Sequence, residues 1–354
     1  MRPLLPTADS VLPYLERMDS ARYYSNNGPL NRAFESRLAD RFDVPPAQVV
    51  TCSSATLGLE GCFRLLDAES FAVPSYTFPA TAMAVKSAGR RLVLTDIDRG
   101  SWMVAPSAQE QFATDAIVPV LPFGAALDID KYRSCRNVVI DAAASVGAIG
   151  SLQDLPNDWS VVFSLHATKT LGIGEGGFVV FGNPLSAAHF RAWTNFGFHG
   201  SRNSTELGTN AKLSEIAAAY GHAALDQWDA ETSDWSQARS HSDSIGHQLG
   251  IASIATQYPG VNPYWIAQFG SPDMCSFIES SLSEEGIATR RWWGQGCHQM
   301  PAFAPQPGAE HQSFINTEWV AATTLGLPFS RGMKDAEFSR IGSTVGDAQL
   351  RWPT

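Results

Sequence analysis

The chain has 354 residues, 44% of them hydrophobic and only 17% charged, so it can bury a large core, divide into two domains and carry an extensive subunit interface. A net charge of −10 and a pI of 5.2 argue against bulk nucleic-acid binding, so an anionic substrate has to be held by local arginines, helix N-termini and backbone amides. The five cysteines are scattered without disulfide or metal spacing, as in a reducing cytoplasm, and neither Met1-Arg2-Pro3-Leu4-Leu5-Pro6 nor any later run reads as a signal peptide or membrane span.

Residues 1–30 read as irregular, with one short helix over 11–18. The spacing of Phe34, Leu38 and Phe42 predicts a helix over 31–42. A strand over 49–51 and a helix over 55–66 follow. The next pair is a strand over 71–73 and a helix over 79–87. Strands are then predicted over 91–95, 116–121, 138–140, 159–163 and 178–181. Strands alternating with helices predict a mostly parallel sheet covered on both faces, with ligands at the carboxyl ends of its strands. An Ala- and Leu-rich stretch over 213–235 reads as one long helix leaving the sheet. Beyond it the pattern becomes α+β, with strands over 264–269 and 287–291, a helix over 273–285 and a terminal helix over 334–348. The expected division is a large α/β domain with an N-terminal arm over 1–225 and a smaller α+β domain over 226–354.

Two strand ends carry the chemistry. The run Ser164-Leu165-His166-Ala167-Thr168-Lys169 leaves a buried strand, and Gly174-Glu175-Gly176-Gly177 leads into the next. A surface lysine has no reason to sit there. Desolvation of an amine lowers its pKa and makes it a Schiff-base nucleophile. Upstream, Val138-Val139-Ile140 ends in Asp141. An inward lysine and a strand-end carboxylate are what pyridoxal phosphate requires: the lysine holds the aldehyde, and the carboxylate keeps the pyridine nitrogen protonated. Taken alone, such an aspartate is a helix cap and such a lysine a solvated side chain. The pair with its glycines is the informative unit.

Other segments have two readings each. Thr51-Cys52-Ser53-Ser54-Ala55-Thr56 opens a helix and suits a phosphate, or is an ordinary serine cap. Pro74-Ser75-Tyr76-Thr77-Phe78 offers an aromatic to stack on a flat ring, or to pack the core. Arg290-Arg291-Trp292-Trp293, with Cys297-His298 just beyond, can bind a phosphate and a base or sugar, or form a strand edge with indoles in the core. Asn195-Phe196-Gly197-Phe198-His199-Gly200 and 208–215 flank a polar, glycine-bearing stretch that reads as a mobile loop before a helix.

The lysine run with its downstream glycines resembles the motif of the DegT/StrS-type nucleotide-sugar aminotransferases, and the likeness extends over nearly the whole chain. Asn26-Asn27-Gly28-Pro29-Leu30, 74–78, Asp141-Ala142-Ala143, Asn195-Phe196-Gly197 and Gly208-Thr209-Asn210-Ala211-Lys212-Leu213-Ser214-Glu215 resemble further family segments. The resemblance implies the pyridoxal-phosphate transferase fold type I, a seven-stranded-type sheet sandwiched by helices plus a small C-terminal domain. It implies Lys169 and Asp141 as catalytic residues. Phe78 would cover the ring, Ala55, Thr56 and Ser164 would bind the phosphate, and Asn210 would reach the partner chain's cofactor in a homodimer with shared sites. His166, Arg290, Trp292, Trp293 and His298 fall at the substrate side. Ala55 stands where the family usually has Gly, and Trp292-Trp293 replace a frequent His-Tyr pair. The implied reaction moves an amino group from glutamate, through pyridoxamine phosphate, to a nucleotide-linked keto-deoxysugar such as a dTDP-4-keto-6-deoxyhexose, for glycan, lipopolysaccharide or antibiotic sugars. A ketocyclitol acceptor and a non-catalytic cofactor-binding regulator are the alternatives. No metal, nucleic-acid or membrane partner is expected.

Overall fold

The computed structural model describes residues 3–251, 260–303 and 313–353. The N-terminal half contributes helices α1 (Ala8–Ala21), α2 (Pro29–Arg41), α3 (Ala55–Leu65), α4 (Pro79–Ser87) and the single turn α5 (Ala108–Gln111). Strands β1 (Val49–Cys52), β2 (Ser70–Pro74), β3 (Arg91–Thr95), β4 (Ala116–Ile117), β5 (Val139–Asp141), β6 (Ser160–Ser164) and β7 (Gly177–Phe181) build the large sheet. β1, β7, β6 and β5 lie side by side, as do β3, β2 and β4. The parallel bridges Ile117–Val138 and Val120–Asp141 join the two sets, giving seven strands across. β7 runs antiparallel to both of its neighbours, β1 and β6; β5–β6, β2–β3 and β2–β4 are parallel.

Alternation along each strand builds two cores. Val49, Ala72, Ile117, Ile140, Val161 and Val180 enter one cluster, which includes the apolar faces of α2 and α7 (Glu215–Asp226). Val50, Val73, Ala116, Val139, Val162 and Val179 enter the other, with α3, α4 and α6 (Pro184–Trp193). Both faces being covered, these strands are apolar at successive positions, which is why they read as continuous runs. A third cluster packs the two-stranded antiparallel sheet of β8 (Trp265–Gln268) and β9 (Thr324–Leu327) against α8 (Trp228–Gln248), α9 (Pro272–Glu284) and α11 (Asp335–Arg351), with α10 (Ile315–Thr323) running into β9. Among the described residues no helix is long and apolar enough to cross a membrane.

Four expectations need correction. The N-terminal helix spans 14 residues and not 11–18, because Tyr14 and Val11 dock it on the body, with the Tyr14 ring stacked 4.9 Å from His222. The strand expected over 116–121 has only two ladder residues, since Pro119 and Pro122 cannot donate to a ladder. The helix expected over 213–235 is two helices. The chain breaks at Gln227, where Trp228 turns into the large core beneath the Arg41 guanidinium, 4.9 Å from its ring. No strand forms over 287–291. Arg290 exchanges a single bridge with Gly326, and Trp293 then takes a left-handed conformation (φ 61°) that turns the chain away. α6, α10 and β9 were not anticipated.

A buried polar staple fixes the N-terminal arm. Glu215, at the first turn of α7, accepts from the backbone amides of Leu30 (2.8 Å) and Asn31 (2.9 Å) at the start of α2. These are amides that a helix leaves without internal acceptors, and the anion complements the helix dipole. The resembling segments at 26–30 and 208–215 therefore meet in space.

Candidate active site

The strand carboxyl ends converge as the alternating pattern requires. Asp141 ends β5, is buried, and accepts from the Thr81 hydroxyl (2.7 Å) and the Ala143 amide (3.1 Å). Thr81 lies in the first turn of α4 and is fully buried, and its hydroxyl is 3.0 Å from that of Thr77. Burial pushes the Asp141 carboxyl above its ordinary value. The Thr81 hydroxyl, the Ala143 amide and the nearby Lys169 charge each pull it partly back. Among the described residues no cation lies in salt-bridge contact with Asp141. A buried anion without a counter-cation is costly, and a protonated ring nitrogen would relieve that cost.

Lys169 sits in the connection between β6 and β7. His166 and Gly174 pair across its base, with the Ala167 amide bonded to the Gly174 carbonyl (2.8 Å) and the Lys169 amide to that of His166 (2.9 Å). Its Nζ donates to the Tyr264 hydroxyl at 2.8 Å. Tyr264 belongs to an aromatic wall in which Trp292 meets its ring edge-on at 5.1 Å and Trp293 stacks on Phe123 at 4.4 Å and 8°. The half-buried indoles pack on Phe123, and Trp292 also meets the Tyr264 ring that bonds the lysine.

The segment expected to take a phosphate opens α3. Ser54 caps the helix by accepting from Leu57, so the serine-cap reading holds, while the Ala55 and Thr56 amides belong to the first turn, where N–H groups lack internal acceptors. The backbone at the start of α3 packs closely on the strand opposite because that strand begins with a glycine. A Cβ at Gly177 would come within 2.6 Å of the Ala55 nitrogen. Ser164 ends β6 with its hydroxyl accepting from the His166 amide (3.2 Å), which leaves its own proton to donate. The Phe78 ring stands at the head of α4 with 60% of its surface exposed, so it does not fill the core, whereas Tyr76 of the same segment is buried. The buried carboxylate of Asp141, the amine of Lys169 and the free first-turn amides of α3 are the donor set that pyridoxal phosphate requires.

The remaining residues are placed as follows. The His166 ring bonds Thr168 (2.9 Å) and lies 3.7 Å from Glu175. His298 Nδ1 bonds the Ser75 hydroxyl (2.6 Å), and its Nε2 lies 3.3 Å from Glu318, which ties the 292–298 loop to the end of β2. Arg290 is exposed, with its guanidinium 4.8 Å from the Trp292 ring centre. Arg291 is committed elsewhere, to Glu279 (2.8 Å) and the Ala322 carbonyl (2.8 Å), so the tandem arginine supplies one available cation and not two. Asn210 is exposed, its Oδ1 accepting from Lys212 (2.7 Å), and the adjacent Ala211 carbonyl accepts from the Ser53 amide (2.8 Å). Sequence reasoning missed Thr81 and Tyr264. Thr81 carried a usable signal, being three residues past Phe78 and hence on the same helix face. Tyr264 carried none, since its partner is 95 residues away.

The model of the DegT/DnrJ/EryC1/StrS aminotransferase family matches residues 8–346, and the chain belongs to this family. The dTDP-3-amino-3,4,6-trideoxy-alpha-D-glucose transaminase of Streptomyces venezuelae is 27% identical, covering 93% of this chain and 89% of that one. The UDP-N-acetyl-3-dehydro-alpha-D-glucosamine 3-aminotransferase of Acidithiobacillus ferrooxidans is 26% identical over 96% of this chain and 94% of its own. Among solved structures, DesI in the presence of its TDP-sugar product superposes with a TM-score of 0.84 at 29% identity, covering 99% of this chain and 92% of that chain. The fold is type I, and the protein is a pyridoxal-phosphate-dependent sugar aminotransferase.

Proposed function

We propose that this family member transfers an amino group from glutamate to a keto group of a nucleotide-linked keto-deoxysugar, with Lys169 and Asp141 as its catalytic residues. The observation that carries the assignment is the buried Asp141, which among the described residues has no cation in salt-bridge contact and feels the Lys169 charge only at a distance. Bound pyridoxal phosphate supplies an electron sink for charge developing at the carbon that exchanges its amino group. The Thr81 hydroxyl and Ala143 amide partly offset the burial that raises the Asp141 carboxyl, and its anion would hold the pyridine nitrogen in its protonated form. The Lys169 amine removes and returns the proton at the reacting carbon, and Tyr264 holds that amine by its 2.8 Å bond. Ala55, Thr56 and Ser164 would hold the phosphate, and Phe78 would cover the ring.

The substrate side is assigned to His166, Arg290, Trp292, Trp293 and His298. Arg290, exposed and braced on Trp292, suits a diphosphate, and the indole edges suit a base or sugar. Relatives whose names specify dTDP- and UDP-sugars support a nucleotide-linked acceptor over a free ketocyclitol. We assign the cofactor domain to 1–225 and the small domain to 226–354, in a cytoplasmic homodimer to which exposed Asn210 contributes across the subunit boundary. Soaking the pyridoxamine form with a panel of dTDP- and UDP-keto-sugars and ketocyclitols, with products read by mass spectrometry, tests the reading. Amination of a nucleotide keto-sugar is expected; amination of free ketocyclitols alone would overturn it.

A further inference from the structure

The loop between α6 and α7 folds back on α6 and gathers two histidines and a glutamate away from the strand-end site. We propose that His189, His199 and Glu206 form a binding site for one divalent transition-metal ion of the zinc class. The inference does not rest on the substrate assignment. His199 Nε2 lies 2.6 Å from one oxygen of Glu206, and His189 Nδ1 lies 3.4 Å from the other. One ligand atom from each of the three residues lies within 4.8 Å of the other two. The rings meet edge to face, at 5.5 Å and 74°, so they do not stack away from a common point.

The spacing suits the ion. Tetrahedral zinc with nitrogen and oxygen ligands at about 2.0–2.2 Å separates its ligands by roughly 3.3–3.6 Å. The His189–Glu206 distance already falls there. The His199–Glu206 distance is that of a hydrogen bond, and exchanging its proton for an ion requires an opening of roughly 1 Å. Two imidazoles and one carboxylate favour zinc, nickel or copper over magnesium or calcium. All five cysteines are buried, so no surface thiolate competes. A fourth position stays open to water.

The local fold holds the carboxylate in place. Gly197 has φ +75°, and a Cβ there would come within 1.8 Å of the Glu206 carbonyl oxygen, so the two backbones can pack only because residue 197 is glycine. The Thr205 amide bonds the Gly197 carbonyl (3.0 Å), and the Ser204 hydroxyl bonds that of Phe196 (2.7 Å). His189 and His199 are both exposed, so an ion reaches them from solvent. Sequence spacing concealed the set, because His189 lies on a helix and the other two in the returning loop. A bound ion would clip residues 199–206 to α6, just ahead of Asn210.

The test is calorimetric titration of the purified holoenzyme with zinc chloride, combined with timed trypsin cleavage after Arg202. One zinc per chain is expected. His189→Gln, His199→Gln and Glu206→Gln should each weaken it by at least about 100-fold, since even outer-shell losses cost 10- to 100-fold. His241→Gln, which leaves the three ligands intact, should bind as the parent does. Zinc should slow cleavage after Arg202 in the parent and not in His199→Gln. Absence of stoichiometric binding, binding retained in all three ligand variants, or cleavage unchanged at saturating zinc would each overturn the proposal.

Discussion

Replacing Thr81 by valine removes one hydroxyl from a fully buried position while nearly preserving side-chain shape. That hydroxyl donates to Asp141 at 2.7 Å. A hydrogen bond to a charged group contributes about 1.5–3 kcal/mol. Without it the Ala143 amide is the remaining donor described for Asp141, and the carboxyl, already raised chiefly by burial, moves further up. A neutral carboxyl cannot pair with a protonated pyridine nitrogen. If the whole loss falls on the cofactor-bound state, pyridoxal phosphate binds roughly 10- to 150-fold more weakly. Protonation relieves the free protein in part, so the lower end is the expected result. Equilibrium dialysis of pyridoxal phosphate against Thr81→Val and Thr81→Ser measures this directly. Serine keeps the donor and should stay near the parent. A folded Thr81→Val that binds cofactor as tightly as the parent would refute the argument that the Asp141 anion is used.

Borohydride reduction of the holoenzyme and peptide mapping should tag Lys169; a tag on Lys86, Lys131, Lys212 or Lys334 would displace it from the site. Asn210→Ala and Lys169→Ala chains should each be poorly active alone, yet their mixed dimer should regain about half of the activity per dimer, because one site then combines both defects and the other is intact. Mixed dimers that form without regaining activity would place Asn210 in its own chain's site, where the Ser53–Ala211 bond would then be the relevant neighbour. Burial holds His222 below its usual value near 6.5, against an opposing bond to the Leu30 carbonyl, so the unfolded chain takes up the proton first. Its contribution is complete above about pH 6.5 and is lost as pH falls from there toward the folded value, so thermal unfolding of His222→Gln should show a flatter decline below about pH 6.5; an unchanged slope would show that His222 does not set it. The five buried thiols, with burial pushing those of Cys62 and Cys297 to about 12 and that of Cys275 to about 11, should resist Ellman's reagent until guanidine is added.

The large sheet was legible because both of its faces are buried. Val161, Val162 and Phe163 are apolar in succession, and that pattern survives any uncertainty of register. The failures occur where tertiary contacts outweigh the local pattern. Trp228 sits in an otherwise unbroken helical period, and only its place beneath Arg41 explains the break at Gln227. Residues 287–291 have strand-like composition, but the turn at Trp293 and the single Gly326 partner leave no ladder to extend. β9 was invisible because Thr324-Leu325-Gly326-Leu327 follows α10 without a turn signal.

The same division runs through the site. Lys169, Asp141 and the start of α3 each lie at a strand end, and order along the chain already forces strand ends together in a parallel sheet. What the order does not encode is the second ring of contacts. Tyr264 enters from the edge of the small sheet to hold the Lys169 amine, and Thr81 enters from a helix to hold the Asp141 anion. These two hydroxyls act on opposite charges at one centre, one as acceptor and the other as donor. Both of the groups proposed as catalytic are therefore restrained by neutral side chains, which position them without neutralising either. A carboxylate at 264 or a lysine at 81 would pair the catalytic groups outright and remove the unbalanced charge that the cofactor is there to meet.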